Sequence, residues 1–128
     1  MILSTLEERV LCRREVAAPD FTYTCDVLCV GAGAVGCYAA DAAARDGADV
    51  LLLEYGKNIG GMPVCGGVTG YYYGTRGGAY EEDDAARAAD TAFVARDCWE
   101  SRQIRLTKRL KKSGVRLLCG ISPIGHHI

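Results

Sequence analysis

A chain of 128 residues is close to the commonest size of a single domain. With 49% hydrophobic and 24% charged residues it can bury a core, so disorder is not the default. A net charge of −1 gives no electrostatic footprint for nucleic acid or an anionic membrane, and no apolar run reaches the roughly 18 residues of a spanning helix. The opening "MILSTLEERVLCRREV" mixes acids and bases and lacks the apolar core of a secretory signal, so a cytoplasmic protein is expected.

In chain order, residues 1–24 read as an N-terminal arm with a short helix before Pro19, and residues 25–128 as one domain. Asp26 to Val30 is apolar nearly throughout and predicts a strand buried on both faces. Ala34 to Asp46 is rich in alanine and is followed by Gly47, the natural left-handed stop of a helix. "ADVLLLE" then predicts a second buried strand. Strand, helix and strand within about thirty residues imply a parallel pair joined by a right-handed crossover. From Gly56 to Gly78 nine of 23 residues are glycine, at 56, 60, 61, 66, 67, 70, 74, 77 and 78. That predicts a loop too long to be a mere connector. Glu81 to Lys112 is helical in pattern, acidic at its start and basic at its end, with a break expected near Asp97. Ser113-Gly114 ends it, and "VRLLCG" predicts a third strand. The fold class is α/β: a Rossmann-like three-layer unit on a parallel sheet, its strands in the spatial order third, second, first.

Gly31, Gly33 and Gly36 form a G-x-G-x-x-G directly after the first strand and at the start of the helix, with Ala32 and Ala34 between them. The first glycine allows a tight turn, the second lets a pyrophosphate approach the backbone, and the third lets helix and strand pack closely. The helix N-terminus offers unpaired N–H groups and partial positive charge. Glu54 ends the second strand, 23 residues after Gly31, where a carboxylate can accept ribose hydroxyls and repel a 2′-phosphate. NADP is thereby disfavoured.

After Glu54 come five residues and then Gly60 and Gly61, and with E-x5-G-G the stretch resembles the FAD-dependent oxidoreductases of the glutathione-reductase and fumarate-reductase type. The resemblance is strongest over residues 26–74. It implies FAD rather than NAD, with Gly31, Ala32, Gly33, Ala34, Gly36, Glu54, Gly60 and Gly61 on the adenosine-diphosphate side of the cofactor. It also implies a redox reaction through the flavin on a small-molecule substrate. Such enzymes are several times longer, with a substrate or cap domain and a late Gly-Asp strand that closes the FAD site. The expectation is therefore a partial FAD-binding domain that needs a further domain, a complementing chain or self-association for catalysis. The alternative is a non-catalytic ADP- or NAD-binding or interaction subunit that retains the fold.

Elsewhere the signals are plainer. Seven cysteines in an odd count with no C-x-x-C spacing suggest free thiols. Cys65 lacks the second cysteine of a C-x4-C redox pair and reads as a loop thiol, with a flavin contact as the alternative. Tyr71 to Tyr73 suit core filling under the loop, or stacking on a flavin or partner. Arg76 suits a solvated loop, with a phosphate or carboxylate partner as the alternative, and the adjacent His126 and His127 point apart, which argues against a metal site. The basic residues from Arg96 to Arg116 suit a solvated helix face, since no aromatic base-stacking pattern accompanies them. No acid–base pair, nucleophile–base pair or metal cluster stands out, as expected where a cofactor supplies the chemistry.

Overall fold

The structure, a computed structural model, describes residues 21–68, 74, 77–90 and 99–123. Its elements are β1 (Val27–Val30), α1 (Ala34–Arg45), β2 (Val50–Glu54), α2 (Met62–Cys65), α3 (Gly78–Asp90), α4 (Trp99–Ser113) and β3 (Arg116–Cys119). Three strands form one parallel sheet in the order β1-β2-β3, which is the third-second-first arrangement expected from the crossovers. Val27 lies beside Val50, and Leu52 beside both Cys29 and Leu117.

Both long helices that feed a strand end by the same local chemistry. After α1, the Gly47 N–H donates to the Ala44 carbonyl and the Ala48 N–H to Ala43, both at 3.1 Å. After α4, Gly114 donates to Lys111 and Val115 to Leu110. Gly47 and Gly114 take the positive φ (96° and 85°) that this helix stop requires. Each helix is thereby turned back into its strand.

The core lies on one face of the sheet. Val50 and Leu52 of β2 meet Cys37 and Ala40 of α1, Leu106 and Leu110 of α4, Ile59 and Val64. Sheet residues of the opposite parity are more open: Leu28 is 53% and Val30 58% exposed, although Leu51 is buried. The expectation that β1 is buried on both faces is therefore corrected. The described helices cover only one face, giving two of the three layers expected. The glycine-rich loop also differs from a plain connector, because Met62–Cys65 forms one helical turn, opened by Pro63 at its start. The long helical stretch is two helices, α3 and α4, and the break near Asp97 falls outside the described residues.

The basic segment is a solvated face only in part: Lys108, Lys111, Lys112 and Arg116 are exposed, but three arginines are not. Arg102 and Arg105 are buried against buried Asp83, with Arg105 Nε 3.2 Å from its carboxylate. Arg109 donates to the buried Asp41 of α1 at 2.6 Å and to Glu82 of α3 at 2.8 Å, and lies over the Tyr38 ring. These charges tie α1, α3 and α4 into one layer.

Candidate functional site

The end of β1 runs directly into the site. The Gly31 N–H donates to the Leu53 carbonyl at 2.8 Å, extending the β1–β2 ladder, and Gly31 then turns the chain at φ 97°. Gly36, in the first turn of α1, lies so close beneath that a Cβ there would sit 1.9 Å from the Gly31 oxygen. That contact explains why the third position of the motif must be glycine.

Gly33 is different. A Cβ at Gly33 would have no atom within 4 Å, and its φ of −64° suits any residue. Packing among the described residues makes no demand for glycine here, at the mouth of α1. As the N-cap, Gly33 offers no side-chain cap, and the first turn of α1 carries no acid. The Gly33 carbonyl receives the Cys37 N–H at 3.0 Å, so the N–H groups of Ala34, Val35 and Gly36 precede the first intrahelical bond. Such an uncapped terminus with room above it fits a phosphate cradle.

Glu54 and the double glycine close on this loop from β2. One carboxylate oxygen of Glu54 accepts the Ala32 N–H and the other the Gly56 N–H, each at 2.7 Å. Each oxygen keeps a second lone pair, and the side chain is only part-buried, so donors from outside can still reach it. The Gly60 N–H donates to the Ala32 carbonyl at 2.7 Å, and Gly60 bridges Gly33 in parallel fashion. Gly61, at φ 59°, packs so that a Cβ would lie 3.0 Å from Gly33 Cα.

All eight residues singled out in the sequence thus converge on one mouth at the carboxyl end of the sheet. Within it Ala32 differs from the rest. It is fully buried, and its N–H and carbonyl both bond within the protein. It frames the loop rather than lining it.

Sequence reading missed two neighbours of the site. Cys37 is 1% exposed, and its thiol donates to the Ala32 carbonyl at 3.3 Å. Burial pushes this thiol up to about 11, with the Glu54 and Cys119 charges adding to the rise and the Gly60 N–H opposing it. The only cue in the sequence was its place directly after the third glycine. The second is the segment after β3, where the Gly120 N–H donates to Gly56 and Ile121 to the backbone of Glu54. The exposed Cys119 thiol there is also raised, by burial first and then by Glu54. Cys65 is exposed at the end of α2, beside a shallow pocket that it lines with Asn58, Val64 and Gly67. Among the described residues no group of three His, Cys, Asp or Glu could hold a metal. Tyr71 to Tyr73, Arg76, His126 and His127 lie outside the described residues.

The family model described as FAD dependent oxidoreductase matches residues 26–113, from just before β1 to the end of α4. No curated protein matches the chain.

Proposed function

We propose, for a chain that belongs to the FAD dependent oxidoreductase family and so has FAD as its cofactor, that the mouth of α1 holds the adenosine-diphosphate half of FAD. One observation carries the residue assignment: among the described residues a Cβ at Gly33 meets no atom within 4 Å, at a helix terminus with no side-chain cap and no acid in its first turn. The cofactor's pyrophosphate would lie over Gly33, accepting hydrogen bonds from the first turn of α1. Glu54 would accept the adenosine ribose hydroxyls on the lone pairs left after its bonds to Ala32 and Gly56. Gly60 and Gly61 would carry the chain past the phosphates without a side chain in the way.

When bound, FAD supplies electron-pair transfer for an oxidoreductase reaction on a small-molecule substrate. The chain's own part is to bind and orient the cofactor. Groups that position the substrate come from a further domain or a complementing chain. This is supported by β1, which has a single strand neighbour among the described residues and exposes Leu28 and Val30. The free thiols Cys25, Cys29, Cys37, Cys65 and Cys119 support a reducing, cytoplasmic setting. No helix among the described residues is long and apolar enough to cross a membrane.

The test is flavin content. Protein purified with FAD present is expected to carry flavin absorbance that is released on denaturation, and ADP should compete for the same site. Tight binding of ADP or NAD with no flavin retained under saturating FAD would replace this reading with a non-catalytic nucleotide-binding subunit.

A further inference from the structure

We propose that Cys37 is a positioning residue for the nucleotide loop, its thiol fixing the Ala32–Gly33 peptide that joins the phosphate turn to the double-glycine segment. The geometry centres on one carbonyl. The Ala32 oxygen has two lone pairs and two donors: the Gly60 N–H at 2.7 Å and the Cys37 thiol at 3.3 Å. The Ala32 N–H is held in turn by Glu54. Three separate segments therefore grip a residue with no solvent exposure at all.

The consequence passes through the planar peptide. No peptide bond among the described residues is cis, so the Gly33 N–H points opposite to the Ala32 oxygen. Whatever holds that oxygen inward also aims the Gly33 N–H away from the core, at the mouth of α1. Gly60 holds it from the neighbouring loop, and Cys37 holds it from inside the helix that the peptide introduces. A thiol suits this place because it is small and apolar enough to sit beside Ala40, Leu52 and Ile59 in the core, yet still donates. Its raised pKa keeps it protonated, and so a donor, through the neutral range.

The inference about loop geometry stands on the ligand-free protein, and its effect on binding rests on the nucleotide reading above. Two variants separate donor from volume. Cys37→Val fills the space and removes the donor, whereas Cys37→Ser keeps a donor. Backbone amide exchange on the ligand-free full chain is expected to quicken about three- to ten-fold at Gly60 and Ala32 in the valine variant, while Leu52 and Leu106 are unchanged. The serine variant should return both loop amides to within about two-fold of the parent. ADP titration should show binding weakened several-fold by valine and restored by serine. Equal loop exchange in parent and valine variant overturns the proposal, as does a serine variant as fast as valine or an unaltered ADP affinity with valine. A parent chain that binds neither ADP nor FAD overturns the nucleotide reading, and the exchange rates then decide the positioning role alone.

Discussion

Gly33 and Gly36 share one motif but are glycines for different reasons, and substitution separates them. Gly36→Ala places a methyl group 1.9 Å from the Gly31 oxygen, a backbone atom that cannot swing aside. It should cost about 1–3 kcal/mol or more of stability, read as a lowered Tm. Gly33→Ala meets nothing within 4 Å, so its cost should stay within about 1 kcal/mol, mainly from the poorer N-cap. It should nevertheless weaken ADP and FAD, because the new methyl occupies the space above the helix mouth. A Gly33→Ala protein that binds ADP as the parent does would remove the phosphate from that place. Glu54→Ala should weaken the nucleotide by about 1–3 kcal/mol and also free the Ala32 and Gly56 N–H groups, so titration and melting should both respond. Cys37 adds an alkaline dependence. Its folded pKa is raised from 9.0 to about 11, so its contribution is whole below about 9 and is lost as pH rises from 9 toward 11. The loss should reach about 2–3 kcal/mol, and urea melts of Cys37→Val should lack it. The three glycines and the glutamate were legible in the sequence because their spacing carries the chemistry. Cys37 was not, since a buried thiol has no spacing signature until its carbonyl partner is placed.

At the scale of elements, the strands, α1 and the spatial order could be read directly, since apolar runs, an alanine-rich helix and a glycine stop each have a local cause. In α4 the exposed Lys108, Lys111 and Lys112 fit the expected solvated face, whereas three arginines depart from it because they have partners. Arg102, Arg105 and Arg109 recur at helical spacing on the side of Leu106 and Leu110, so they face inward with the core. The acids that receive them lie on α3 and α1, at Asp83, Glu82 and Asp41. Periodicity alone put the arginines on one face, but only the packing of α3 and α1 shows that this face is covered. Asp41 is the centre of the tie: one oxygen takes Arg109 at 2.6 Å and Arg45 at 3.1 Å, and the other is buried without a hydrogen-bond partner. Asp41→Asn removes the charge and leaves Glu82 as the charged partner of Arg109 among the described residues. About 2–4 kcal/mol of stability should be lost, less than the full cost of an orphaned buried charge because Arg109 keeps that second acid. Denaturant midpoints should fall accordingly, while ADP affinity holds, since Asp41 lies about two helical turns along α1 from its N-cap Gly33. A midpoint unchanged by the substitution would mean that water replaces the ion pair without loss.

For the molecule as a whole, the sheet is the open question that the fold itself poses. Parallel strands are ordinarily covered on both faces, and an apolar edge strand is a template for pairing. Here β1 carries Val27, Leu28, Cys29 and Val30 with β2 on one side and no described strand on the other. Leu28 and Val30 are more than half exposed on the face opposite the core. Neither Lys, Pro nor a charge inside the strand blunts that edge. The expected outcome is association: by light scattering, the purified chain should have a mass above its 13.7 kDa unless a complementing chain is supplied. Leu28→Lys sets a charge on the open face without touching the α1 mouth. As a surface change it should cost little stability, within about 0.5 kcal/mol, and it should return the mass to that of the monomer. ADP binding should survive it, because the loop, Glu54 and the double glycine all lie at the carboxyl end of the strands. If the parent chain is already a monomer that holds stoichiometric FAD and reduces an acceptor unaided, the exposed face needs no partner and the further domain is not required.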